Sequence, residues 1–371
     1  MRISLYVANY PPAPCGVGDY TYKLVKYLGK MLGSNIQVYS SMPEDPGNRQ
    51  RSAKINGLES MKRFVDILKK DGTEVLILQY QSHSFNRSIY PNLLVAYLRL
   101  LSNIKTILVM HDFAGPTLKL GRFGEIIGRF INVFTCIFAN RIIFTDDLRM
   151  TQLLRHDILG IIKDKVVHIP VGPNIEPSSN QTDDNSQKSI CFFGLVHPSK
   201  SVEKIIDAFC DLMTSNEIDE TKLYIIGHAT DDSYRLFLQK YISNTGQEKN
   251  IILTGYLSDE NTSQLLRRME FCILPYDKGV HYSTSSVVSS CILHKLPMIG
   301  TVNSANKRYP GMLPIQLPVN TENLREAMKQ LILDKALLNK LKEEINSIKE
   351  TRSWENISLK YRSTIYEVVS K

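Results

Sequence analysis

The sequence predicts an α/β fold built from two Rossmann-like domains, each a doubly wound parallel sheet. Three observations carry this expectation. Short apolar runs alternate with segments of helical period, the pattern of βα units whose strands are buried on both faces. The alternation occurs twice, and the two series are separated by Pro173–Lys188, PNIEPSSNQTDDNSQK, a polar stretch that reads as a linker. At 371 residues the chain is too long for one ordinary core, and it suits two domains of roughly 150 to 190 residues.

The first series occupies residues 1–172. Ile3–Ala8 reads as the opening strand, followed by a loop over Asn9–Asp19, NYPPAPCGVGD, and a helix over Tyr20–Leu32. Gly16 and Gly18 let the backbone approach something closely at the end of that strand, or simply make the turn into the helix. The third glycine of a dinucleotide fingerprint is missing, because Thr21 stands there, which argues against a nicotinamide site. Next come a strand at Ile36–Ser40, an irregular segment over Met42–Gly57, a helix at Leu58–Lys70 and a strand at Glu74–Tyr80. A helix from about Pro91 to Leu101 leads to a strand at Lys105–Met110, with His111 and Asp112 directly after it. A strand-end histidine can donate hydrogen bonds to a sugar or phosphate oxygen, or bond only to the next loop. Leu118–Phe138 places apolar residues at helical spacing among Lys119, Arg122 and Arg129, so one face packs in the core or meets an anionic membrane. A strand at Arg141–Thr145, a helix at Asp147–Leu159 and a strand at Lys165–Ile169 close the series.

In the second series, strands at Ser189–Phe193, Lys222–Ile226, Asn250–Thr254, Phe271–Leu274 and Leu296–Ile299 alternate with helices at Val202–Met213, Asp232–Ser243, Ser258–Met269 and Val287–Lys295. Helices over Thr321–Leu333, Lys335–Ile348 and Ser353–Val369 follow. Ser283, Thr284, Ser285 and Ser286 lead into the Val287 helix. Such a hydroxyl cluster caps orphan N–H groups, and the same helix start is a ready phosphate site at a strand's carboxyl end.

Composition narrows the function classes. With 43% hydrophobic and 22% charged residues the chain is an ordinary globular one, and no run of 18 apolar residues spans a membrane. The N-terminal apolar run is too short for a signal peptide, so the expected location is cytoplasmic. The six cysteines form no CxxC pair and the eight histidines no HExxH, so no metal and no disulfide frame are expected. Residues 1–172 carry 22 Lys and Arg against 13 Asp and Glu, whereas the remainder carries 23 against 24. The basic partner surface therefore belongs to the first half. Zinc-finger, RRM and KH signatures are missing, so nucleic acid is not the expected partner; an anionic membrane surface fits better.

Several stretches resemble family 4 glycosyltransferases, retaining enzymes of the GT-B fold. LPYDKG at Leu274–Gly279 resembles their strand-end turn, and SSVVSSCILHKLPMIGT at Ser285–Thr301 their donor-phosphate helix. VMHD, HIPVGPN and GLVHPSKS resemble the family's strand-end histidine, domain exit and diphosphate loop. The resemblance implies two domains facing across a cleft, with a second domain at 189–350 and a helix at 351–371 that crosses back to the first. It implies that a nucleotide-sugar diphosphate of UDP or GDP type meets Lys200 and the helix start at Ser283, Thr284, Ser285 and Ser286. The family's arginine position falls on His197 or Leu195. By the same resemblance His111 lies beside the donor sugar, Gly16 and Gly18 face the donor, and Gly255 and Tyr256 receive the base. The paired glutamates of many members fall on Tyr282 and Ser290, which cannot carry their charge, and Asp277 is the nearest substitute or else a solvated turn residue.

The implied function is metal-independent, cofactor-free, retaining sugar transfer to a glycan or lipid-linked acceptor in surface polysaccharide biosynthesis. His111, Lys200 and Asp277 are its candidate catalytic residues, with peripheral contact at the inner face of the cell membrane. The lost carboxylates leave open a catalytically inactive nucleotide-binding scaffold, and a nucleotide-sugar epimerase is a third reading.

Overall fold

The computed structural model describes residues 1–13, 15–33, 36–45, 47, 50–112, 115–116, 121–155, 160–178, 189–218, 220–276, 285–302 and 308–370, with the side chains of 121–123, 125, 148 and 152 excepted. They form two compact units, Met1–Val171 with Trp354–Lys371, and Gly172–Ser353.

The first unit is a parallel sheet of seven strands: β1 Ile3–Val7, β2 Gln37–Ser40, β3 Gln50–Ser52, β4 Val75–Tyr80, β5 Lys105–Met110, β6 Arg141–Phe144 and β7 Val166–His168, in the order β3-β2-β1-β4-β5-β6-β7. The order reverses between β1 and β4, which puts a topological switch point at the carboxyl ends of these strands. Every residue of β4, VLILQY, is buried, as helices on both faces require. On one face pack α2 Leu58–Lys70, α3 Tyr90–Leu101 and α4 Gly121–Phe138; α5 Asp147–Arg155 connects β6 to β7.

The other face is covered by α1 Gly16–Leu32 and by the last helix of the chain, α12 Trp354–Val369. Trp354, the sole tryptophan, stacks on Tyr27 at 6.1 Å and lies 5.2 Å from the Tyr20 ring. The Tyr20 and Tyr361 hydroxyls are 3.0 Å apart in the core, and Arg141 reaches Glu367 at 2.9 Å. Buried aromatic area is what holds this distant segment on the sheet.

The second unit is a parallel sheet of six strands: β8 Ser189–Phe193, β9 Lys222–Ile226, β10 Ile251–Gly255, β11 Cys272–Leu274, β12 Met298–Val302 and β13 Met312–Gln316, in the order β10-β9-β8-β11-β12-β13. Its helices are α6 Val202–Thr214, α7 Asp232–Ser243, α8 Asp259–Arg267, α9 Ser286–Leu293, α10 Thr321–Leu333 and α11 Lys335–Ile348. Asp231, Ser258, Asn320 and Asp334 cap four of them through side-chain oxygens.

Four expectations shift. Gly16 and Gly18 lie in the first turn of α1 and not in a loop. A Cβ on Gly18 would come within 2.8 Å of the Asn9 carbonyl oxygen, so that glycine is needed by the chain's own return path. Strand β3 is polar and β13 is broken up by Pro314, so neither shows an apolar run; both are edge strands, where such residues are tolerated. The start of the expected linker belongs to the second unit, since the Ile175 and Ser178 N–H groups donate to Ser290 Oγ at 3.1 Å and Ser263 Oγ at 2.8 Å.

Because Trp354 is buried in the first unit, its emission reports the melting of that unit. Tyr361→Ala is expected to cost about 3–5 kcal/mol, the range for emptying a buried aromatic site. A denaturant titration followed by tryptophan fluorescence should show the lower midpoint.

Candidate functional site

In the second unit three neighbouring strands, β8, β9 and β10, reach glycines at their carboxyl ends: Gly194, Gly227 and Gly255. Gly227 has φ +145°, and a Cβ there would lie 1.9 Å from the Gly194 carbonyl oxygen. No side chain fits between the two loops, which are locked backbone to backbone. A Cβ on Gly194 would in turn lie 3.4 Å from Val287 Cγ2, so this loop touches the first turn of α9.

Beyond Gly194 the chain makes a 3-10 turn over Pro198–Lys200. His197 caps it: Nδ1 accepts the Ser199 N–H at 3.1 Å and lies 2.8 Å from Ser199 Oγ. Ser201, at φ +53°, then launches α6. The turn brings the Lys200 ammonium to 4.0 Å from the centroid of the Tyr276 ring. Tyr276 is buried just after β11, and its carbonyl accepts Thr301 Oγ1 at 2.7 Å. Burial pulls the Lys200 pKa below the usual lysine value of 10.5. The aromatic face offsets part of that desolvation, and an anion arriving there would offset more.

Ser285 caps α9 by accepting the Val288 N–H at 3.4 Å. The N–H groups of Ser286 and Val287 have no partner within the helix, and they carry its positive dipole end. Gly194, Lys200, Tyr276 and the start of α9 therefore converge at one carboxyl edge, where adjacent β8 and β11 end.

Other expected residues are placed differently. Ser290 is fully buried: its hydroxyl donates to the Ser286 carbonyl at 2.8 Å and accepts the Ile175 N–H. It lies on the inner face of α9, where its hydroxyl serves the helix and the Ile175 N–H and is closed to a donor. Tyr256 stands 79% exposed in solvent after Gly255, whose Cβ position is open. Asp277, Tyr282, Ser283 and Thr284 lie outside the described residues. The sequence reading missed Arg352, which is buried beneath α9, donates to Ser289 Oγ at 3.3 Å and lies 5.1 Å from the Tyr309 ring. A lone arginine near the chain end gives no periodic signal that could have found it.

In the first unit the carboxyl edge holds His111, immediately after β5. The ring is almost entirely buried, with Nε2 at 2.6 Å from Gln79 Oε1 and the Tyr20 ring set edge-on at 5.2 Å. Its carbonyl accepts Arg149 Nη1, and Arg149 Nε lies 3.5 Å from the buried Asp146 carboxylate. Burial, assisted by the Arg149 charge, pushes the His111 pKa down to about 3. The imidazole is therefore neutral at any physiological pH. Gly16 has open space around its Cβ position, whereas Gly18 packs against Asn9.

The sequence of residues 175–347 matches the family described as glycosyl transferases group 1. No curated protein matches the chain. Among solved structures, a glycosyltransferase from Rickettsia africae ESF-5 is similar, with 15% identity over 99% of this chain and 98% of that one, at a TM-score of 0.74. HepE of Anabaena, solved with UDP and glucose, shares 12% identity over 99% of this chain and 100% of that one, at a TM-score of 0.71. Sucrose-phosphate synthase of Thermosynechococcus elongatus shares 14% over 100% of this chain and 99% of that one, at 0.70. The fold is GT-B, two Rossmann-like parallel-sheet units, and the family match supports a glycosyltransferase.

Gly227→Ala puts a methyl group into a carbonyl oxygen at a φ that L residues rarely adopt. A loss of more than about 2 kcal/mol is expected, the scale of strain at such positions, read as a lower melting temperature. Gly255→Ala, with open space at its Cβ, should lose distinctly less.

Proposed function

We propose that this protein is a retaining, metal-independent glycosyltransferase of family 4. It moves a sugar from a nucleotide-diphosphate donor to a glycan or lipid-linked acceptor in surface polysaccharide synthesis. The observation that carries the reading is the half-buried Lys200 ammonium on Tyr276, beside the start of α9 and inside the matched stretch.

The chemical task is to stabilise the diphosphate as its bond to the sugar breaks. Lys200 supplies a full charge, and the Ser286 and Val287 N–H groups supply partial ones, preorganised where charge develops. In front-face attack the leaving phosphate oxygen takes the acceptor's proton, so the reading requires no dedicated general base. The UDP held by the similar HepE structure favours UDP over GDP as the donor nucleotide. With Ser290 sealed in the core, the ribose depends on other groups.

On the acceptor side, no described helix is long and apolar enough to cross a membrane. Ile126, Phe130 and Phe134 nevertheless project from α4, at 52%, 67% and 59% exposure. They border an apolar groove of about 450 Å³ between α3 and α4, and these two helices carry three arginines against one glutamate. This face would rest on an anionic bilayer, apolar side chains inserted and arginines at the headgroups.

Two outcomes test these readings. UDP at 100 times its dissociation constant should stabilise the wild type by about 2.7 kcal/mol in a thermal-shift assay, and Lys200→Ala should lose most of that shift. The shift should fade with rising pH before 10.5 is reached, since the charged lysine is the binding form and burial already lowers its pKa. UDP binding without turnover of any UDP-sugar would favour the scaffold, and sugar isomerisation without acceptor an epimerase. Separately, Phe130→Ser with Phe134→Ser should abolish co-sedimentation with liposomes containing phosphatidylglycerol; unchanged sedimentation would refute the membrane contact.

A further inference from the structure

Gln79 is the last but one residue of β4, buried at the floor of the first unit's carboxyl edge. Its carbonyl oxygen lies 2.6 Å from His111 Nε2. With the amide in this orientation its oxygen accepts, and the ring nitrogen facing it carries the proton. On the other side of the amide, Nε2 is buried with no hydrogen-bond partner among the described residues. Its electrostatic partner is the Tyr361 hydroxyl, whose pKa burial raises and the Gln79 amide lowers. A buried amide nitrogen left without a partner is destabilising. An apolar side chain of similar shape would avoid that cost but would leave the buried His111 Nε2 unpaired, so the glutamine is kept for the ring.

We infer that Gln79 is a positioning residue that holds His111 as its Nε2–H tautomer, so that the imidazole meets its ligand through the Nδ1 lone pair, as an acceptor. The ring and its backbone are steadied from several neighbouring elements. Tyr20 of α1 packs edge-on against it. Tyr361 of α12 holds Tyr20 through the pair of hydroxyls 3.0 Å apart. Arg149 of α5 grips the His111 carbonyl and is itself set by Asp146. Asp112, next in the chain, is engaged by the Ser82 N–H at 3.4 Å. The only positive charge among these groups is Arg149, which opposes formation of an imidazolium.

The consequence reverses the polarity expected from the sequence. A neutral Nε2–H imidazole does not donate from Nδ1 to a phosphate or ether oxygen; it accepts from a hydroxyl. On the glycosyl-transfer reading, the group that His111 meets is then a sugar hydroxyl that donates to Nδ1. The tautomer itself does not depend on that reading.

The test is a two-bond 1H–15N correlation spectrum of the full chain labelled at histidine, with the His111 signals assigned by their loss in His111→Asn. In the wild type, the pattern should be that of a neutral Nε2–H ring, unchanged from pH 8 to pH 5.5. Gln79→Met removes the acceptor together with the orphaned nitrogen, and should shift His111 to the Nδ1–H form or a mixture. Gln79→Glu restores an acceptor and should restore the proton on Nε2. An Nδ1–H pattern in the wild type, or Gln79→Met indistinguishable from it, would overturn the inference. If Gln79→Met does not fold, Gln79→Leu takes its place, and the wild-type pattern decides the tautomer without any variant. No substrate is involved, so failure here is separate from failure of the proposed reaction.

Discussion

The Lys200 ammonium is half withdrawn from water and faces the Tyr276 ring. Withdrawing an ammonium from water is costly, so the backbone must aim it there. That constraint runs outward through the second unit. The 3-10 turn capped by His197 aims the side chain, and the Gly194–Gly227 contact fixes the loop from which the turn springs. Below it, Ser290 and Arg352 tie the inner face of α9 to the segment before β8 and to the turn after α11. The polar groups under α9 therefore hold a cationic corner in place while being shut away from it themselves.

The first unit solves a related problem with neutral groups. Here the carboxyl edge carries a histidine that burial keeps uncharged, supported by a glutamine of β4, phenols of α1 and α12, and an Arg–Asp pair at the start of α5. The chain end contributes to it directly, because α12 brings Tyr361 and Trp354 to α1. One carboxyl edge thus carries an ammonium and the other an oriented, uncharged imidazole.

Much of this was legible in the sequence because parallel strands buried on both faces leave continuous apolar runs. Most strands and helices fall where those runs and their helical counterparts predict. What the sequence hides has specific physical causes. Strands β3 and β13 lie at sheet edges, where burial does not enforce an apolar run, and Pro314 disguises the second further. Ser290 reads like a ligand contact by alignment of motifs, but helical phase turns it inward. Gly16 and Gly18 look like a loop because glycine is poor in helices, although close passage of Asn9 demands one of them in the first turn. Gln79 sits inside an apolar run, and only the fold shows that its amide faces His111. Lys200 was readable through its loop, whereas its partner Tyr276 was seen only as part of a turn.

The decisive observation is backbone hydrogen–deuterium exchange with and without saturating UDP. If the donor diphosphate lies where the Lys200 corner and the start of α9 meet, the amides of residues 194–201 and 285–290 will exchange more slowly in the complex. Those of α2, Leu58–Lys70, will not change. UDP that binds while leaving both of those segments unprotected, or that protects only residues elsewhere, would contradict the assignment of this corner as the donor site.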